Sequence, residues 1–366
     1  MSQVTLQESI GWFQNGEMRH EILRVLGGYP YKPYRGLGLG TDEMLAHAFL
    51  TSLAESRLVV ARGQGRIRGL AFCQDLPWES RLFGVRMGKI SAIVADSPDT
   101  TSHLVGTVVG NCRSEGVRHL SAETEFSDLP TAHALERAGF RLAETRLILY
   151  RTERLNPEAE IGELQDYRPS YRRDLLEIAR RSFTASRFST DPHLDQRAAR
   201  RVYSKWLVDA LDGRADFVKV VTDGDKPLGF VTCRKFVEEM PEGQLVVGVM
   251  DLMAVAPEHQ GQGLGQRLVR AAWQWLSANS AVHVARIRGD NFVSIGVHTS
   301  VGFRFHSGKV GFHLWLGDRP PSHEVGRIAC GDAWEGAGIE WGTPAKGRRK
   351  AGESPSGQSA SYSLED

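Results

Sequence analysis

Two stretches of this chain repeat one signature. Asp128 opens a helical segment that runs into Gly139-Phe140-Arg141, and Asn291 opens one of the same length that runs into Gly302-Phe303-Arg304. The same series of elements surrounds each copy. The first reads as strands at Leu58 to Ala61, Gly69 to Cys73 and Lys89 to Val94, a helix, a strand at His119 to Ala122, a helix and a closing hairpin. The second reads as strands at Phe217 to Val221, Gly229 to Thr232 and Val246 to Val255, a helix from Leu264, a strand at Val282 to Ile287, a helix and a closing pair. An internal repeat of this kind restricts the chain to two related α/β modules in tandem, each a central mixed sheet flanked by helices. The expected division is residues 1–155 and 156–318, followed by a tail at 319–366.

The halves differ at one decisive place. In the second, Met253-Ala254-Val255 ends a strand, and Gln260-Gly261-Gln262-Gly263-Leu264-Gly265 turns directly into a helix. Gly263 and Gly265 suit a backbone that must approach a ligand or take positive φ. The free amides and positive dipole end of the helix then face whatever anion sits there, so the turn is predicted to bind a pyrophosphate. In the helix, Leu264, Leu268, Ala271, Ala272, Trp275 and Leu276 are spaced to face the core, with Gln266, Arg267, Arg270 and Gln274 outward. Walker and Rossmann patterns are not met, since there is no Gly-Lys-Ser/Thr and no acidic residue about twenty positions on. The first half has Ala95-Asp96-Ser97-Pro98-Asp99 at the corresponding position, without glycine and with two carboxylates that repel phosphate. One module is expected to bind a cofactor and the other to be degenerate.

Arg35-Gly36-Leu37-Gly38-Leu39-Gly40 repeats the glycine spacing, but Pro30 and Pro33 argue against a strand before it. It reads as a loop on the acceptor side, leading to a helix capped by Thr41.

Composition narrows the class. The length of 366 residues suits two domains, and a formal charge of +1 gives no reason to expect nucleic acid or an acidic membrane as partner. No apolar run reaches membrane-span length, and Glu8, Glu17 and Glu21 interrupt the N-terminal region where a secretory signal would lie. Cys73, Cys112, Cys233 and Cys330 are scattered, so neither a metal site nor a disulfide framework is expected, and a reduced cytoplasmic protein fits. The Gly-, Ser- and Pro-rich tail, with its basic stretch Lys346 to Lys350, reads as disordered. A homodimer is left open.

Gln260-x-x-Gly263-x-Gly265 after a Val-rich strand resembles the coenzyme A signature of the GNAT superfamily of N-acetyltransferases. Leu76 to Gly84 around Trp78, Phe183 to Pro192 around Arg187 and Phe188, and Val202 to Leu207 are similar to the TDP-fucosamine acetyltransferase group, whose members acetylate a nucleotide-linked amino sugar. The resemblance covers roughly residues 70–316. It implies tandem GNAT-like modules, acetyl-CoA as cosubstrate and a small-molecule amine acceptor lying between the modules, with Trp78, Arg187 and Phe188 as its contacts. Arginine suits a bidentate contact to phosphate or carboxylate. Aromatic residues here have core packing as the alternative role.

Acetyl transfer from a thioester to an amine requires a neutral amine, a donor to the carbonyl and a proton for the departing thiolate. The resemblance assigns the donor to a main-chain N–H within Met253 to Val255, and the acid to a tyrosine seven residues after the helix-opening asparagine. Here that count from Asn291 gives His298, a departure from the family pattern. Histidine titrates near neutrality and becomes the acid candidate, with simple packing as the alternative. Asn291 is expected to cap the helix or contact cofactor. Asp251 is the candidate base, with an arginine pair or solvent as its other uses. No cysteine is expected near the motif, which favours direct transfer in a ternary complex over an acetyl-enzyme. Two rival readings remain open: a GNAT enzyme for another amine (aminoglycoside, amino acid or protein N-terminus), or a non-catalytic coenzyme A sensor.

Overall fold

The computed structural model describes residues 3–7, 16–152, 164–241 and 243–318. The expected boundary at 155/156, Cys330, the tail from 319 and the Lys346 to Lys350 stretch lie outside them.

Among the described residues, short runs that are apolar throughout or alternate with polar positions form twelve strands. They are β1 (Gln3–Gln7), β2 (Arg57–Gly63), β3 (Arg66–Asp75), β4 (Met87–Ala95), β5 (His119–Glu125), β6 (Arg141–Arg151), β7 (Gln165–Asp166), β8 (Phe217–Asp223), β9 (Lys226–Met240), β10 (Gly243–Val255), β11 (Val282–Arg288) and β12 (Arg304–Trp315). All belong to one mixed sheet, ordered β1-β2-β3-β4-β5-β12-β6-β11-β10-β9-β8-β7. Only β4 with β5 and β10 with β11 run parallel.

That order reads the same from either end of the repeat, with one correction to the expected closing hairpins. Each half closes with one long strand, and the two closing strands are exchanged. β6, from the first half, pairs with β11 of the second from His283↔Arg151 to Arg288↔Arg146. β12 returns to pair with β5 of the first half from Lys309↔Glu125 to Trp315↔His119. β6 and β12 also pair with each other, so neither half presents an open edge to the other.

The helices fall on both faces. On one, α1 (Gly16–Gly27) and α2 (Asp42–Ser52) cover Leu58, Val60, Leu70 and Phe72. Thr41 caps α2 as expected, its hydroxyl accepting from the Met44 amide at 3.3 Å. The short α3 (Pro77–Phe83) follows β3. On the other face, α4 (Pro98–Ser114) and α5 (Leu129–Arg137) cover Ala71, Ile90 and Leu120. In the second half, α6 (Arg172–Ser182) and α7 (Gln196–Asp209) share a cluster with Phe230, Leu252 and Ala254. The opposite face carries α8 (Leu264–Asn279) and α9 (Phe292–Ser300) over Cys233, Met250, Ala285 and Ile287.

The covers are exchanged as the closing strands are. Phe188, Leu194, Ala198 and Val202 of the second half pack with Phe83, Met87 and Trp315 over the first-half strands. Tyr34 and Leu45 of the first half pack with Ile148, Tyr150, Val247, Val249 and Val282. The Arg35 to Gly40 loop therefore lies against the second half, and its Arg35 carbonyl is 2.6 Å from His306 Nε2.

Side-chain placement in α8 adds one residue to the expected core-facing stripe. Trp273 is the buried tryptophan at 8 % exposure, whereas Trp275 is half-buried and stacks on Phe217. At about 100° per residue, position 273 joins Val269 and Leu276 in the packed stripe, and the Arg151 guanidinium, brought over by exchanged β6, covers its ring at 3.4 Å. Among the described residues no helix is long and apolar enough to cross a membrane.

Candidate active site

Strand β10 stops pairing with β11 halfway along. Their parallel register runs from Val247↔Val282 to Met250↔Ala285 and ends. β10 continues against β9 as far as Val255↔Gly229, while β11 continues against β6 as far as Arg288↔Arg146. From Asp251 onward the two strands diverge, which leaves the β11-facing edge of Met253, Ala254 and Val255 outside the ladder. A bulge between Met250 and Leu252 marks the apex.

The glycine-rich turn stands at the far end of the opened strand. Gln260 folds its amide back to the Val255 carbonyl at 3.1 Å. Gly261 and Gly263 take φ of 76° and 78°, left-handed geometry that other residues adopt only with strain. Gly265 is less constrained, since a Cβ there would meet Val297 at 3.8 Å, an ordinary contact. Gly263 is the N-cap and offers no side-chain acceptor, and the first backbone bond of α8 is Arg267 N–H to the Gly263 carbonyl at 3.2 Å. Among the described residues no acceptor pairs with the amides of Gly261, Gln262, Gly263, Leu264, Gly265 or Gln266. A cluster of free N–H groups at a helix start is an anion site.

The equivalent helix end in the first half is closed. Ser97 Oγ accepts from the Thr100 amide at 3.3 Å, and Asp96 accepts the Thr100 hydroxyl at 3.1 Å while pairing with Arg68. Its own side chains fill the place an anion would take.

His298 stands behind the apex. Its Nδ1 is 2.7 Å from the Ser294 carbonyl, its Nε2 is 3.3 Å from Met250 Sδ, and its ring meets Phe303 edge-on at 5.6 Å. Burial lowers the imidazole pKa, against a smaller upward pull from the Ser294 hydrogen bond. The neutral ring therefore donates Nδ1–H to Ser294 and keeps a lone pair on Nε2. Asn291 caps α9, Oδ1 accepting from the Ser294 amide at 3.0 Å. The repeat holds in detail, since Phe140 N–H bonds the Leu135 carbonyl as Phe303 N–H bonds the His298 carbonyl, each at 3.1 Å. Leu135 is thus the first-half counterpart of His298, without a titratable group.

Asp251 sits at the start of the opening, Oδ2 3.0 Å from Arg234 Nε, both side chains about one-third exposed. One expectation is corrected here. A cysteine does lie near the motif, because the antiparallel register sets Cys233 opposite Met250. The hairpin between Cys233 and Met250 hid that proximity in the sequence. Burial first, and Asp251 second, raise the Cys233 thiol pKa well above its ordinary value. It remains a protonated core residue rather than a nucleophile.

On the face covered by α7, the middle of the sheet carries a half-buried field of charge that sequence reasoning missed. Cross-strand partners share a face, and the register aligns Arg288 with Arg146, Arg146 with Lys309, and Lys309 with Glu125. Arg146 bridges Glu123 at 3.0 Å and also pairs with Glu144, while Lys309 reaches Glu123 at 3.3 Å. Lys89 shares this field without a hydrogen bond or ion pair to the described residues, and burial lowers its pKa. For Glu123 burial acts upward, but Lys89, Lys309 and Arg146 together outweigh it and hold the carboxyl far below the usual range. The signal lay in Glu123 and Glu125, polar at alternate positions of a strand central to the fold.

The three expected acceptor contacts share one neighbourhood but play different parts in it. Arg187 borders the charged field, 3.8 Å from Glu79 and over the Phe188 ring at 4.6 Å. Phe188 itself is core, 2 % exposed and 5.1 Å from Phe83. Trp78 donates Nε1–H to Asp209 at 3.2 Å and lies 6.0 Å from Trp206, in an aromatic row continued by Tyr203 and Phe183.

A sheet opened between two parallel strands, with an uncapped glycine-rich helix start at its mouth, matches a known family. Residues 172–303 fit the family model described as Acetyltransferase (GNAT) family. The chain thus carries a GNAT acetyltransferase domain, of the acyl-CoA-dependent N-acetyltransferase class. Among curated proteins it is similar to SpsD, a spore coat polysaccharide biosynthesis protein of Bacillus subtilis (strain 168), at 21 % identity over 255 residues, covering 69 % of this chain and 86 % of that one. Among solved structures it resembles a tandem GNAT protein from the clavulanic acid biosynthesis pathway, with TM-score 0.52, 14 % identity, and 87 % and 99 % of the two chains covered. It also resembles a glucosamine N-acetyltransferase region of a fungal multi-domain GH3 β-N-acetylglucosaminidase, with TM-score 0.55, 15 % identity, and coverage of 86 % of this chain and 38 % of that one. These likenesses establish the tandem mixed-sheet fold.

Proposed function

We propose that this protein is a cytoplasmic enzyme that transfers acetyl from acetyl-CoA to the amine of a nucleotide-linked amino sugar, directly and in a ternary complex. The observation that carries the reading is the asymmetry of the two helix starts, one closed by Ser97 and Asp96 and the other open at Gly261 to Gln266. The open amides suit a diphosphate, and the unladdered edge of Met253 to Val255 suits pantetheine and supplies main-chain donors to a thioester carbonyl. When bound, acetyl-CoA supplies the activated acyl group.

The acceptor enters from the face covered by α7, where Lys89, Arg146, Lys309 and Arg187 suit the phosphates of a sugar nucleotide, and Tyr203 and Trp78 offer aromatic surface. His298 carries the proton. Neutral at Nε2, it accepts a proton as the amine attacks, and it returns that proton to sulfur as the C–S bond breaks. Asp251, held by Arg234, orients the ammonium group before its deprotonation. The buried thiol of Cys233 gives an acetyl-enzyme no support. The similarity to SpsD, a spore coat polysaccharide biosynthesis protein, favours a sugar acceptor over an amino acid or protein N-terminus.

The test is thiol release from acetyl-CoA with a panel of TDP- and UDP-linked amino sugars, against aminoglycosides and peptides. Turnover confined to the sugar nucleotides supports the reading. Turnover only with peptides or aminoglycosides would redirect it to another acceptor class, and binding without turnover would make the protein a coenzyme A sensor.

A further inference from the structure

His119 opens β5, and the register of β12 sets Trp315 opposite it, with His313 opposite Ser121. The segment between α6 and α7 lowers Asp191 onto this group. Asp191 Oδ2 is 3.0 Å from His313 Nδ1 and 3.4 Å from His119 Nε2, and the three donor atoms lie within 4.8 Å of one another. Trp315 Nε1–H donates to the same carboxylate at 3.1 Å, and the His193 amide donates to its other oxygen at 3.0 Å. All three residues are buried, His119 completely.

We propose that His119, Asp191 and His313 form a binding site for a divalent transition-metal ion of the zinc class, distinct from the acyl-transfer site. Spacing is the first argument. Donors about 2.0–2.2 Å from one tetrahedral ion stand roughly 3.3 Å apart, and the two distances to Asp191 bracket that figure.

The second argument is an unmet demand. Neither ring nitrogen of His119 has a hydrogen-bond partner, and His313 Nε2 lacks one as well. A buried polar atom left unpaired costs about 1–3 kcal/mol, and an ion would take up the Nε2 lone pair of His119.

Orientation agrees. Trp315 and the His193 amide fix the carboxylate as outer-shell partners do.

The ion would be a structural staple. Asp191 belongs to the second-half segment that carries Arg187, and both histidines lie on strands beneath it, so one ion would pin the acceptor-side segment to the first-half sheet.

The test uses the full-length protein, purified without chelator and with any affinity tag removed. Elemental analysis should find about one zinc per chain, or the apoprotein should take up one Co²⁺ with visible absorption typical of tetrahedral coordination. Melting temperature should fall on chelation and recover with Zn²⁺, and His313→Gln should bind neither ion. A protein that purifies metal-free, and whose melting temperature and spectrum ignore added Zn²⁺ and Co²⁺, would overturn the proposal. So would unchanged metal content in both His119→Gln and His313→Gln. The wild-type titration decides the matter if the variants fail to fold.

Discussion

His298 Nε2 lies 3.3 Å from Met250 Sδ, at the last residue of β10 that still pairs with β11. The imidazole therefore stands where the reacting sulfur of a thioester threaded between these strands would arrive. With Nδ1–H engaged by Ser294, only Nε2 can exchange a proton. His298→Gln should lower kcat by about tenfold or more, within the range of general acid-base effects, and leave the KM for acetyl-CoA unchanged. Because burial lowers the imidazole pKa below its ordinary 6.5, the wild-type rate should rise with pH through a midpoint below that value. The variant should lose that limb. An unchanged kcat in the variant would remove His298 from the chemistry.

Gly263 holds φ of 78° at the uncapped start of α8. Gly263→Asp would add a side chain to left-handed backbone, at about 1–3 kcal/mol, and set a carboxylate against the incoming diphosphate. The first half already shows a helix end closed in this way, by Asp96 and Ser97. Calorimetry should find coenzyme A bound at least roughly tenfold more weakly, a loss of about 1.4 kcal/mol. Equal affinity in the variant would mean that the diphosphate is held elsewhere.

Glu238 is 6 % exposed on β9, and burial raises its pKa to about 7, against smaller downward pulls from the Tyr34 hydrogen bond and the Arg286 charge. A carboxyl with a raised folded-state pKa takes up its proton more readily in the folded chain. Stability is therefore lost as pH climbs from the ordinary value of 4.5 towards 7, and the full penalty stands above that. Glu238→Gln should melt higher than wild type at pH 8, by roughly 3 °C, with the gap narrowing towards pH 4.5. A gap that widened on acidification would contradict this assignment.

Local features of the site were legible in the sequence, and features created by register were not. Gln260 to Gly265 announced the anion-binding turn because glycine content, a preceding strand and a following amphipathic helix are all local. The Gly-Phe-Arg repeats were equally plain, since Gly139 and Gly302 both take positive φ where their helices end and Phe140 and Phe303 plug equivalent core positions. The exchange of β6 and β12 was hidden, because alternation shows that a strand has a buried face but does not name its neighbour. For the same reason Cys233 came unannounced to the apex, and Glu123, Arg146 and Lys309 read as unrelated charges until pairing set them side by side.

Lys89 gives the charged field its sharpest test. It is the cation there without a hydrogen bond or ion pair to the described residues, and burial already disfavours its charge. The phosphate of an acceptor is a partner that would offset the desolvation. Lys89→Met keeps the aliphatic stem and removes the charge; it relieves the desolvation of the ammonium and takes away one of the cations that hold Glu123 ionised, so the two effects oppose and thermal stability should change little. Arg146 and Lys309 would remain to neutralise Glu123. Steady-state kinetics should show the KM for a sugar-nucleotide acceptor raised about tenfold, the 1–2 kcal/mol expected of one charged contact, with the KM for acetyl-CoA unmoved. If instead the variant lost thermal stability and kept its acceptor KM, Lys89 would be a partner of Glu123 in the fold, and the acceptor would have to lie away from this face.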